Sequence, residues 1–107
     1  MMNTMTFSAL AEPTRLRMIE ILKDGPMSVG DIAERLALRQ PQASKHLRVL
    51  LEAGLVEVEA AANRRNYRLR TEPLKAMDAW LEAYRRLWSE RFDNLDDYLR
   101  QLQSEEE

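Results

Sequence analysis

The chain contains no cysteine, so disulfides, thiolate metal sites and cysteine nucleophiles are excluded at once. Histidine is almost as scarce. The single imidazole, His46, cannot build a multi-histidine metal site, and with neither a thiol nor a Gly-rich phosphate loop beside it, it makes no catalytic constellation. An enzyme is therefore not expected. No apolar run approaches the roughly 18 residues that a membrane span needs. The start, Met1-Met2-Asn3-Thr4, lacks the basic-then-apolar pattern of a secretory signal. A cytoplasmic protein with no membrane partner is expected. Low-complexity tracts and internal repeats are missing too, and nothing argues for disorder.

What remains is an ordinary globular composition, 45% apolar and 32% charged over 107 residues. That length fits one domain, residues 1–107, burying about two thirds of the surface its unfolded chain would expose. The net charge of −2 conceals an uneven distribution: residues 1–71 hold 11 Lys/Arg against 8 Asp/Glu (+3), and residues 72–107 hold 5 against 10 (−5). Between positions 39 and 70, Arg39, Lys45, Arg48, Arg64, Arg65, Arg68 and Arg70 meet only Glu52, Glu57 and Glu59, a local +4. Such a field suits a polyanionic partner whatever the total; on charge alone, a solvated mixed face is the alternative.

Along the chain, a short apolar stretch from Thr6 to Ala11 is interrupted by Pro13, which opens a second helix to Lys23 with Leu16, Ile19 and Leu22 on one face. Asp24-Gly25-Pro26 closes it. Ser28 reads as the N-cap of a third helix, with Asp31 three positions on and Ile32, Ala33 and Leu36 buried. After a short turn, Gln40-Pro41 opens a fourth helix that turns Ala43, Leu47, Leu50 and Leu51 inward and ends at Gly54. Val56, Val58 and Ala60 then alternate with Glu57 and Glu59, and Tyr67 and Leu69 with Arg68 and Arg70. Two half-buried strands forming a hairpin follow from that alternation, with glutamates opposite arginines outside and a basic tip from Ala61 to Arg65. Glu72-Pro73 starts the last helix, where Leu74, Leu81, Trp88, Leu95 and Leu102 recur every seven residues. Its seam extends to about residue 102, with an acidic frayed tail beyond. The expected fold is mainly α with a small β-hairpin wing, in the order α-α-α-α-β-β-α. It is a winged helix-turn-helix with the helix-turn-helix at 28–53, the wing at 56–70 and a long C-terminal dimerisation helix at 73–102.

A helix-turn-helix works on DNA because its second helix fits the major groove and presents its first turns to base edges. Gln40, Gln42, Ser44 and Lys45 are the candidates for base and groove contact. Arg39, Arg48, Asn63, Arg64 and Arg65 are the candidates for phosphate or minor-groove contact. Taken alone, the run from Gln40 to Lys45 is merely the wet side of an amphipathic helix. The short turn before it and the basic hairpin after it favour double-stranded DNA. His46 either faces a phosphate or lies half-buried against the preceding helix, and packing is favoured because buried Leu47 follows it. For the last helix, intramolecular core, a small apolar ligand cavity between Trp80, Tyr84 and Trp88, and a dimer seam are the three readings. A stripe this long is too much for one small domain to cover, and left exposed it would aggregate. A second copy is the favoured cover, using Phe7, Leu10, Leu74, Met77, Trp80, Leu81, Tyr84, Trp88 and Leu95. An alternative is a protein-interaction module that docks an unlike partner through the same helix.

Two motifs carry a family resemblance. Leu10-Ala11-Glu12-Pro13-Thr14-Arg15-Leu16, running on to Ile21-Leu22, and the block from Gln40 to Val56 resemble the opening and recognition segments of the ArsR family of bacterial and archaeal repressors. The resemblance covers nearly the whole domain. It implies a homodimer built from the first and last helices, binding to imperfect inverted repeats near the regulated promoter, and release when a signal arrives; a repressor of its own operon is the expectation that follows for this chain. It also assigns recognition to Gln40, Gln42, Ser44 and Lys45. Many relatives sense metals through a Cys-x-Cys stretch on the helix before the recognition helix. The matching residues 28–33 carry no thiol or imidazole. Others use Asp and His across paired last helices, where this chain offers Asp78, Glu82, Glu90 and Asp93 but no histidine. A metal-independent subgroup with no cofactor is expected, its signal a small molecule or a partner protein if it has one.

Overall fold

A computed structural model describes residues 3–61 and 63–106, the side chains of residues 61, 90–93, 105 and 106 excepted. Helix α1 (Thr4–Leu10) opens on Asn3, whose side-chain oxygen accepts the Met5 N–H at 3.0 Å. Pro13 then begins α2 (Pro13–Leu22), and Glu12 caps it by accepting the Arg15 N–H at 2.9 Å. A two-residue strand β1 (Met27–Ser28) leads into α3 (Val29–Arg35), where the Ser28 hydroxyl accepts the Asp31 N–H at 3.2 Å. Helix α4 (Gln40–Glu52), strands β2 (Val56–Ala61) and β3 (Arg64–Leu69), and helix α5 (Glu72–Glu106) complete the order.

The helix-turn-helix with its wing is present, and the hairpin is one strand richer than the sequence pattern suggests. β1 pairs antiparallel with β3, Met27 opposite Tyr67 and Ser28 opposite Asn66, giving the sheet order β1-β3-β2. Two residues are too few to show an alternation, so no period could reveal this strand. In the β2–β3 ladder Glu57 stands opposite Arg68, and the Arg68 guanidinium donates to Glu57 at 2.6 Å and to Glu59 at 3.3 Å.

The core gathers Ala9, Met18, Ile19, Leu22, Ile32, Ala33, Ala43, Leu47, Leu50, Leu55 and Val56, with Tyr67, Leu69 and Leu74 packed against it. Three expected inward residues are exposed instead: Leu16, Leu51 and Ala60. Steps of three drift by about 60° on a helix of 3.6 residues per turn, so Leu16 rotates away from Leu22 and Met18 takes its place in the stripe. Leu51 follows Leu50 directly, about 100° further round α4, and so stands at the edge of the stripe formed by Ala43, Leu47 and Leu50. Ala60 lies beside the hairpin tip, outside the core.

The chain forms two compact units, one ending at Lys75 and the other beginning at Ala76. The second is the greater part of α5. Along it Trp80, Tyr84, Leu87, Trp88, Leu95, Tyr98, Leu99 and Leu102 are between 39% and 59% exposed. The Trp80 and Tyr84 rings pack with centroids 4.9 Å apart. Helix α5 continues to Glu106 rather than stopping near residue 102, its last residues being good helix formers that need no packing to stay in register.

Candidate nucleic-acid interface

The turn between α3 and α4 determines what α4 can present. Leu36 closes α3, and Ala37 takes the left-handed conformation (φ 55°) while the Ala37 and Leu38 N–H groups donate back to Glu34 and Ala33 carbonyls at 3.2 and 2.8 Å. The chain reverses in a few residues, and α4 begins at Gln40. Ala43, Leu47 and Leu50 then bind α4 to the core with no exposed surface, which leaves Gln40, Gln42, Ser44, Lys45 and Arg48 exposed, with Arg39 at the N-cap.

Gln42 has a structural duty within this set. Its Oε1 accepts the Arg39 backbone N–H at 3.3 Å, so the amide that would read an adenine edge is half engaged in capping α4. Free of the cap it could turn both atoms to a base; capped, one of the two lone pairs of Oε1 is taken and the orientation of the amide is set.

The basic residues divide by whether a carboxylate holds them. Arg48 pairs with Glu52 at 3.3 Å, Arg68 with Glu57 and Glu59, and Arg70 with Glu72 at 3.7 Å. The Arg68 pKa is raised, chiefly by its hydrogen bond to Glu57. Arg39, Lys45, Arg64 and Arg65 have no ion pair among the described residues, and all four are exposed. Four cations are thus left without a carboxylate among the described residues, two around the start of α4 and two at the wing tip. Asn63, Arg64 and Arg65 line a concavity of about 390 Å³ whose other wall is Ser28, Val29 and Asp31 at the start of α3. The wing tip is thus brought beside the helix-turn-helix.

His46 is half-buried and turned toward α2. Its Nδ1 lies 3.5 Å from Arg15 Nη1 and 3.6 Å from Glu12 Oε2. Arg15 is itself held at the end of α1, its Nε donating to the Ala9 carbonyl at 2.7 Å and its Nη2 to Ser8 at 3.4 Å. The Arg15 backbone N–H, outweighing partial desolvation and assisted by the His46 and Arg15 charges, holds the Glu12 carboxyl below its ordinary value of 4.5. Glu12 and Arg15 stand in the opening family motif, but their pairing with His46 is not legible there, because it lies more than thirty residues away in the chain.

Of the residues expected at a dimer seam, Phe7 is exposed on α1, while Leu10 and Leu74 are partly buried against their own core. Met77 and Leu81 are half-buried; Trp80, Tyr84, Trp88 and Leu95 are exposed. A transition-metal site on α5 does not fit the donors present. Asp78 and Glu82 are both engaged by Arg85, at 2.5 and 3.1 Å, and no histidine accompanies them. Glu90 and Asp93 have side chains outside the described residues. Among the described residues no group of three potential metal ligands occurs, and no helix is long and apolar enough to cross a membrane.

Comparison with known proteins agrees with this geometry. The family described as "Helix-turn-helix domain" matches residues 10–59. The transcriptional repressor SdpR of Bacillus subtilis is 33% identical over 75 residues, 70% of this chain and 83% of that protein. The transcriptional activator HlyU of Vibrio cholerae is 36% identical over 80 residues, 75% of this chain and 71% of that protein. An ArsR-like transcriptional regulator from Rhodococcus sp. RHA1 superimposes with a TM-score of 0.71 at 27% identity, covering 86% of this chain and 87% of that one. A helix-turn-helix with a basic wing, shared with relatives that regulate transcription, makes the chain a DNA-binding regulator rather than an enzyme, and it belongs to the ArsR family of winged helix-turn-helix transcriptional regulators.

Proposed function

We propose that the chain is a cytoplasmic homodimeric repressor that selects an inverted-repeat operator with α4 and gains affinity from phosphate or minor-groove contacts made by the wing. The observation that carries this is the division of the cations: among the described residues Arg39, Lys45, Arg64 and Arg65 have no carboxylate partner, and they stand at the start of α4 and at the wing tip. Cations held in salt bridges give little to a phosphate; free ones release counterions on binding and supply salt-dependent affinity. Selection then falls to the first turns of α4, where Gln40, Gln42, Ser44 and Lys45 are exposed.

A second copy seated on the α5 stripe would cover its exposed aromatics and supply the two-fold axis that an inverted repeat requires. Such a dimer represses by occupying the DNA it recognises, its own operon being one target. The Bacillus relative is a repressor and the Vibrio relative an activator, so the sign of regulation is tested separately from binding. The signal that releases DNA, if there is one, is a small molecule or a partner protein rather than a metal.

The exposed α5 stripe also fits a module that docks an unlike protein, with the wing only solubilising. A duplex enriched by the protein from a randomised pool separates the two readings. Replacing Gln42 and Ser44 together by alanine is expected to weaken binding to that duplex about tenfold or more while scrambled DNA is bound as before. Unchanged affinity for the enriched duplex would refute recognition by α4.

A further inference from the structure

His46 is not among the residues assigned above to DNA or to a second copy, yet one of its ring nitrogens joins three helices. Arg15 stands on α2 and grips the last carbonyls of α1; Glu12 caps α2; both converge on His46 Nδ1, in the middle of α4. The residues flanking the ring are Lys45, a candidate DNA contact, and Leu47, which is fully buried. The tie therefore acts at the margin between the α4 core stripe and its DNA-facing turns.

A single nitrogen cannot serve both partners. Bare, Nδ1 accepts from the Arg15 guanidinium; protonated in the imidazolium, it donates to Glu12 and can take nothing from Arg15. At 3.5 and 3.6 Å the ring stands almost midway between the two. The charged groups against it are these two from α2. From α1 it meets none, the Ser8 and Ala9 carbonyls being taken by Arg15. On α4 itself Arg48 is paired with Glu52, and on β2 Glu57 and Glu59 are paired with Arg68. Asp31, Glu34 and Arg35 of α3 form no ion pair with His46 among the described residues. The Glu12 carboxyl is held below its ordinary value by the Arg15 backbone N–H, so its carboxylate faces the ring when the ring gains a proton.

We propose that His46 is a positioning residue for DNA recognition, its Nδ1 tying α4 to the α1–α2 corner and changing partner from Arg15 to Glu12 as the ring gains a proton. The inference rests on α4 being the helix that reads DNA. Protonation exchanges a bond from the Arg15 cation to a neutral ring for an ion pair between the imidazolium and the Glu12 carboxylate, which fixes α4 more firmly, so specific binding strengthens as the pH falls. An added positive charge near DNA would do the same without any tie. Glu12 distinguishes the two: the tie needs its carboxylate, and general attraction does not.

The probe is the duplex that the wild-type protein enriches from a randomised pool. Wild-type affinity for it is expected to rise about three- to tenfold as the pH is lowered from about 8 to about 5.5. Glu12→Gln, which keeps an oxygen to cap α2, is expected to lose most of that rise. His46→Asn is expected to bind near the wild-type level at the higher pH with a flat profile, and His46→Ala to bind more weakly. A full rise retained in Glu12→Gln would overturn the proposal, as would a flat wild-type profile. Amide chemical shifts of Gln42, Ser44 and Lys45 without DNA give an independent reading: they are expected to move with pH in the wild type and much less in Glu12→Gln, and equal movement in both would overturn the tie. If no duplex is enriched, the reading of α4 as the DNA contact fails while the amide series still decides the tie.

Discussion

Glu12 holds two positions at once, as the N-cap of α2 and as a neighbour of His46. Its depressed pKa makes its contribution to stability depend on pH. The folded state holds the ionised form more tightly than the unfolded chain does, so the contribution is complete above the ordinary value of 4.5 and is lost as the pH falls through the lower folded-state value. The melting temperature of the wild type should therefore exceed that of Glu12→Gln at neutral pH, and the gap should close in acid below about pH 4. Thermal melts of both proteins from pH 7 to pH 3 check this; a gap that widens in acid would contradict it. At the wing the residues predict a different signature. Arg64→Ala and Arg65→Ala should each flatten the slope of log affinity against log salt by about 1, the share of one phosphate, with little change in which sequence is preferred. Arg68→Ala, whose cation is already held by Glu57 and Glu59, should leave the slope unchanged. In the sequence the alternation already sets glutamates opposite arginines on the outer face of the hairpin; the register adds that both Glu57 and Glu59 hold Arg68, while Arg70 turns to Glu72.

The elements were legible where a period or a cap is local. Pro13 at the start of α2, Ser28 before α3 and Gln40 opening α4 all announce themselves within a few residues. Strand β1 did not, because its two residues belong to a sheet only through contacts with Tyr67 and Asn66 nearly forty positions on. The helix-turn-helix contains a similar concealment. Both its helices end in the same way, with a left-handed residue and paired back-bonds, but α4 uses Gly54 (φ 75°) where α3 uses Ala37 (φ 55°). A side chain in that conformation costs about 1–2 kcal/mol, partly offset because alanine loses less entropy on folding than glycine. Ala37→Gly should accordingly stabilise the protein by about 1 kcal/mol, and Gly54→Ala should destabilise it by at least that much, as read by urea denaturation. Destabilisation by Ala37→Gly would mean that the strain at this turn is not what the backbone angle implies.

For the whole molecule, the aromatic stripe on α5 and the free cations of the first unit are complementary requirements: one asks for a second copy, the other for a polyanion. Trp88→Ala should weaken self-association about tenfold or more in sedimentation experiments, and weaken binding to a two-half-site duplex in step. The donor set on α5 lacks histidine and has Asp78 and Glu82 committed to Arg85, so a chelator should affect neither property. The most direct test is fluorescence anisotropy of the purified protein on its own upstream DNA and on a scrambled duplex, at two salt concentrations with chelator present. Tight, salt-sensitive, chelator-resistant binding by a dimer that prefers the upstream DNA is the predicted result. Equal weak binding to both duplexes would contradict it.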